Sequence, residues 1–168
     1  KGNIFPVPEL YKRLIELRKN SDIAKPYRAG ELIESNGVIT FSPDLGDKLM
    51  PLDNYPLRPD QKDLQGCILQ YYAPESIGGV IPDDAYIIGH DPWGIDAKLA
   101  SVVKDCSVGA AYVMRTNKYF KELGIPGMIV ASYIGRTDRM DEYNYNLYKL
   151  CKYYNAKLMF ENDRGEIE

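Results

Sequence analysis

The chain reads as an α/β protein built on a mixed sheet, with three antiparallel strands, a crossover helix and a fourth strand returning parallel to the first. Three observations predict this. Apolar runs of strand length stand at 86–91, 107–115, 128–134 and 156–161. Between the third and fourth runs, Tyr143, Leu147, Leu150 and Tyr154 recur at three- and four-residue steps, the period of a helix burying one face. The links joining the first three runs are short, which favours antiparallel neighbours, whereas a helical link carries the chain back to pair in parallel.

Taken in order, residues 8–19 predict a helix. Leu10, Leu14 and Leu17 share one face, Pro8 suits its first turn, and Arg18 and Lys19 sit at its negative end. The runs 30–34 and 38–41 flank Ser35-Asn36-Gly37, and Asn-Gly between two short apolar runs predicts a hairpin. Residues 42–66 are rich in proline, aspartate and lysine and read as an extended connector. A further strand is expected over 66–72 and a loop over 73–79. The composition shifts near Ile81-Pro82-Asp83-Asp84. We place a boundary there, dividing an N-terminal helix, hairpin and linker region (1–80) from a second domain (81–168). In that second part, Thr137 or Asp138 can cap the helix at 141–154. Asn155, which tolerates a left-handed backbone, suits its end.

Bulk properties narrow the function. At 168 residues the chain holds one ordinary domain, or a small one with an appendage. A net charge of −3 provides no global basic footprint, so any nucleic-acid contact must be local. The 14 tyrosines read as half-buried packing residues rather than base-stacking platforms. Cys67, Cys106 and Cys151 are widely spaced, with no CxxC pair. That argues against structural zinc and for free thiols in a reducing compartment. No apolar stretch approaches the ~18 residues of a membrane span, and no secretory signal is visible. The start at Lys1 and the stop soon after Glu161 are those expected of a piece of a longer protein. The phosphate-binding GxxxxGK[ST] and GxGxxG patterns and the nucleophile-elbow GxSxG are missing, and one histidine makes a Ser-His-Asp hydrolase a poor reading.

The chemistry concentrates on carboxylates. Tyr86-Ile87-Ile88-Gly89-His90 runs into Asp91-Pro92, and Ala156-Lys157-Leu158-Met159-Phe160 runs into Glu161. Two acids at the C-terminal mouths of adjacent strands, roughly 4.8 Å apart, can share one hydrated Mg²⁺ or Mn²⁺, a hard ion that prefers oxygen ligands. Asp91 would bridge two ions, Glu161 would hold one, and Asp96 is an additional ligand candidate in the following loop. The plainer reading of either acid alone is a turn opener or a solvated strand end. His90 reads as a donor behind the ligands, a phosphate contact, or a partly buried polar residue. Arg136 is a phosphate-binding candidate or a partner of Asp138 or Asp141. Lys98 and Lys104 can steer DNA or are simply solvated.

Over roughly 81–165 these residues resemble the nuclease half of phage terminase large subunits. The resemblance rests on Tyr86 through Gly94, on Val130-Ala131-Ser132-Tyr133-Ile134-Gly135-Arg136, and on Tyr153-Tyr154-Asn155-Ala156 leading to Phe160-Glu161-Asn162-Asp163-Arg164-Gly165. Residues 29–80 are similar, less distinctively, to the lead-in after the ATPase motor of such proteins. The resemblance implies a ribonuclease H-like fold and two-metal cleavage of double-stranded DNA concatemers into packaging units. It also implies other terminase and portal subunits as partners, in the host cell cytoplasm. Asp91 matches the first-strand acid and Glu161 the fourth-strand acid. The family's third, downstream acid and its P-loop motor have no counterpart in these residues. Two other readings stand beside this one: another ribonuclease H-like nuclease of resolvase or transposase type, and a non-catalytic docking module with the same fold.

Overall fold

Seven strands and one helix make up the residues that the computed structural model describes, namely 27–46, 49, 52, 65–92, 108–119 and 127–160. The strands are β1 (Arg28–Ser35), β2 (Val38–Pro43), β3 (Gly66–Gln70), β4 (Tyr86–Asp91), β5 (Gly109–Arg115), β6 (Ile129–Gly135) and β7 (Lys157–Phe160), with the helix α1 (Met140–Tyr154) between β6 and β7. They form one sheet in the order β2-β1-β3-β6-β5-β4-β7. The helix expected at 8–19 and most of the 42–66 connector lie outside the described residues.

The hairpin forms where Asn36-Gly37 predicts it. Both residues have positive φ, 51° and 76°, which makes a two-residue turn whose twist matches the strands it joins. Ser35 consequently faces Val38. β3 then bridges the hairpin to the rest of the sheet, pairing antiparallel with both β1 and β6.

β4, β5 and β6 pair antiparallel in sequence order, and β7 returns parallel to β4, the arrangement expected from the link lengths. The return depends on α1. Its Tyr143, Leu147, Leu150 and Tyr154 are all buried and press on Ile68, Ile88, Ala111, Val113, Ala131 and Tyr133 in one core. Burying each such side chain stabilises the fold by roughly 1.5–3 kcal/mol. Asn155 ends the helix in the left-handed conformation, φ 48° and ψ 44°. The amide of Ala156 donates to the Cys151 carbonyl at 2.9 Å. The Asn155 side chain donates to the Ile81 carbonyl at 2.9 Å and to Asp83 at 3.1 Å, which ties the helix end to the approach to β4.

The start of the helix differs from expectation. Neither Thr137 nor Asp138 caps it. Arg139 is the N-cap, with extended backbone and no side-chain cap. Thr137 instead donates to the Arg139 carbonyl at 2.5 Å, so its hydroxyl holds the turn that precedes the helix. Asp141 and Glu142 in the first turn offset the positive helix end.

The helix stripe predicts a sharp contrast. Leu150 is fully buried and Tyr148 is 45% exposed on the opposite side. Leu150→Ala should lower unfolding stability by about 2–5 kcal/mol, and Tyr148→Ala should change it by no more than about 0.5 kcal/mol, both read from urea midpoints.

Candidate functional site

β4, β6 and β7 run in one direction and β5 in the other. The C-terminal ends of the first three therefore meet the N-terminal end of β5 at a single edge of the sheet. The registers fix this edge: Asp91 faces Ala110, Gly109 faces Gly135, and His90 faces Phe160. Asp91 is the last residue of β4 and is exposed. Pro92 follows it and has no amide hydrogen to extend the ladder. Among the described residues no hydrogen bond or ion pair engages the Asp91 carboxylate.

His90 points to the opposite face, under α1, and is 6% exposed. Its ring stacks on Tyr143 at 5.6 Å, and Tyr143 stacks in turn on Tyr133 at 4.8 Å. Neither ring nitrogen of His90 has a hydrogen-bond partner among the described residues. Burial lowers its pKa, and the neighbouring Asp91 charge opposes that only in part, so the imidazole is held neutral. Gly109 makes this column possible. A Cβ there would lie 2.5 Å from the Tyr143 ring and 2.7 Å from its hydroxyl oxygen, so only glycine lets the ring lie flat against the start of β5.

Arg136 follows β6 directly and reaches the same edge, two strands from Asp91. Its amide donates to the Gln65 carbonyl at 3.0 Å. Asp141, one of the partners considered for Arg136, is held by Arg139 at 2.9 and 2.6 Å, and that pairing lowers its pKa. Asp138 is exposed beside it. Glu161, Asp96 and Lys98 lie outside the described residues. The structure thus gathers Asp91, His90 and Arg136 at one edge. Among the described residues no group of three or more metal-binding side chains is assembled.

A cleft of about 340 Å³ opens elsewhere, between β1, β3 and α1, with Glu31, Glu34, Tyr145 and Lys149 in its lining. Neither Asp91 nor His90 contributes to it. Lys149 donates to the Leu32 carbonyl at 2.8 Å, and Tyr145 donates to Glu34 at 2.6 Å. These two contacts dock the helix onto the hairpin. No helix among the described residues is long and apolar enough to cross a membrane.

Tyr143 and Gly109 are the site residues that sequence reasoning passed over. Tyr143 was visible as part of the helix stripe, but its stacking on His90 arises only once the crossover brings α1 over the end of β4. No protein-family model, curated protein or solved structure matches the chain.

The buried tyrosines make alkaline stability a test of this packing. Burial raises Tyr133 from the ordinary 10.0 to about 12 and raises Tyr143 and Tyr154 further. Above pH ~10 the unfolded chain loses these protons while the native chain keeps them, so stability falls as pH rises. It should be complete below pH ~10 and decline steeply towards pH ~12, with tyrosinate absorbance appearing together with unfolding. Ionisation of all the tyrosines around pH ~10 in a still-folded protein would contradict the stacked core.

Proposed function

We propose that the Asp91 edge belongs to a metal-dependent DNA endonuclease of ribonuclease H-like fold, the nuclease part of a terminase large subunit acting on double-stranded DNA. The observation that carries this reading is the in-register parallel pairing of β4 and β7, which sets His90 opposite Phe160. Asp91 follows His90 on β4, and Glu161 follows Phe160 in the sequence. Each is one peptide unit, about 3.8 Å, from its predecessor, and paired strands lie roughly 4.8 Å apart. Two carboxylates delivered in this way come within reach of a common hydrated cation. The strand sequence β6-β5-β4-β7, antiparallel until its last pair, also supports the ribonuclease H-like reading.

The donor chemistry fits magnesium or manganese. Asp91 is an exposed carboxylate that the described residues leave uncommitted to any hydrogen bond or ion pair, and such oxygen donors suit hard divalent ions. When bound, these ions supply Lewis-acid activation of water and of the scissile phosphate. The protein's own part is positional. His90, packed neutral against Tyr143, fixes the strand end that carries Asp91. Arg136 at the same edge is the residue assigned to a backbone phosphate. Asp96 and Lys98, which follow Asp91 in the sequence, are assigned supporting roles in metal and DNA binding. A net charge of −3 makes such local cations the means of holding DNA. Terminase and portal partners, and a place in the host cytoplasm, follow from the same reading.

Calorimetric titration of Mn²⁺ into wild type, Asp91→Asn and Glu161→Gln tests it. Each substitution should weaken binding by about tenfold or more, equivalent to ~1.4 kcal/mol, with thermal midpoints unchanged. Equal affinity in wild type and Asp91→Asn would remove the basis of the assignment.

A further inference from the structure

β7 is only four residues long, and its side-chain pattern leaves its register underdetermined. Leu158 packs against the core, whereas Met159 is 60% exposed. Side chains alternate with a period of two, so a slip of one residue would exchange these faces and is excluded by burial. A slip of two residues keeps each side chain on its own face. Burial alone therefore does not separate the observed pairing, Ile87 with Lys157 and Ile88 with Leu158, from one displaced by two residues. The contacts that separate them are polar and lie at the edge of the sheet opposite Asp91. Lys157, the first residue of β7, is ion-paired with Asp84. The Asp84 carboxylate also accepts from Lys118 at 3.0 Å, and its carbonyl accepts from the Thr116 hydroxyl at 2.7 Å. Two positions before Lys157, the Asn155 side chain donates to the Ile81 carbonyl and to Asp83. The 81–84 turn thus holds the end of α1, the start of β7 and the segment that follows β5.

We infer that the 81–84 turn sets the register of β7 on β4, with Asp84, Lys157 and Asn155 as positioning residues for the acid pair. The inference rests on the metal reading of the Asp91 edge and deepens it. Residues rise about 3.3 Å each along a parallel strand, so a two-residue slip displaces the end of β7 by roughly 6.6 Å relative to Asp91. Magnesium binds oxygen at about 2.0–2.1 Å. Such a displacement takes Glu161, which follows Phe160 in the sequence, out of reach of an ion held by Asp91. The slip has a physical source, because helix ends fray. Only Asn155 and Ala156 separate α1 from β7, so residues gained or lost in the last turn pass directly into the strand. Exposed ion pairs contribute little one at a time. A tenfold preference for one register needs only about 1.4 kcal/mol, and the contacts of Lys157 and Asn155 act together on the same choice.

The test uses the full chain. Register is read without metal, from cross-strand backbone NOEs between β4 and β7, and Mn²⁺ affinity is read separately by calorimetry. Asp84 and Asn155 both have positive φ, 63° and 48°, a conformation that glycine adopts freely. Asp84→Gly and Asn155→Gly therefore remove the side-chain contacts and leave the backbone as it is. Wild type should give one set of NOEs, joining Ile88 to Leu158 and Gly89 to Met159. The double variant Asp84→Gly/Asn155→Gly should add a set displaced by two residues and bind Mn²⁺ about tenfold more weakly. Lys157→Met should move both readouts the same way, and Lys157→Arg, which keeps the charge, should restore wild-type values. A single undisplaced set in the folded double variant overturns the inference, as does weaker Mn²⁺ binding with no displaced set. If the double variant fails to fold, Lys157→Met at its exposed position decides by the same criteria. The metal reading fails separately. A displaced set in the double variant together with unchanged Mn²⁺ affinity in Asp91→Asn would leave the register device and remove the metal site. A displaced set with Mn²⁺ affinity lost in Asp91→Asn but kept in the double variant would overturn the positioning role.

Discussion

A parallel strand pair cannot be closed by a turn, and the arrangement at the Asp91 edge depends on the crossover that makes such a pair possible here. The 15 residues of α1 carry the chain from the end of β6 back to the start of β7. The helix can do this only because one stripe of it, Tyr143 to Tyr154, has somewhere dry to go. Without that burial β7 would have no reason to return beside β4. β4 and β7 would then share neither direction nor register. The hydrophobic contact under α1 is thus also what organises the polar edge.

The two faces of the sheet are treated differently, and the difference bears on function. Under α1 the aromatic rings are stacked and fully enclosed, from His90 through Tyr143 to Tyr133. Stacked rings in a close-packed interior resist displacement, so the end of β4 is held rigidly from behind. On the other face Tyr27 and Tyr71 meet edge to face near β6, while Tyr112 stands exposed above β5. The buried tyrosines are packing residues, as their amphipathic character leads one to expect, while Tyr72, Tyr112, Tyr145 and Tyr148 stand exposed.

The far end of β4 is pinned by polar contacts. Arg115, buried to 3% exposure, pairs with Glu75 at 2.8 Å, and the Glu75 amide donates to the Tyr86 hydroxyl at 2.9 Å. Tyr154 donates to the Tyr72 carbonyl at 2.7 Å, and Gln70 donates to Tyr153 at 3.0 Å. A buried charge that loses its partner is costly, so these links hold the 71–85 segment against the start of β4 and the end of α1. One end of β4 is thus tethered by hydrogen bonds and the other backed by aromatic rings, with Asp91 exposed at its terminus.

Local patterns in the chain were enough to determine the strands, the helix and its buried stripe, the Asn36-Gly37 turn and the left-handed stop at Asn155. Each of these follows from neighbours within a few residues: side-chain period, turn chemistry, and which residue tolerates positive φ. The parallel return of β7 was also readable, because link length limits how strands can pair. The tertiary structure alone decided the rest. The N-cap passed from Thr137 and Asp138 to Arg139 because Thr137 spends its hydroxyl on the preceding turn. Nothing local announces that Tyr143 covers His90, that Gly109 must lack a side chain beneath it, or that Gly89 lies between Tyr112 and Met159. Those relations join residues tens of positions apart, and they exist only after the crossover sets the register across the sheet.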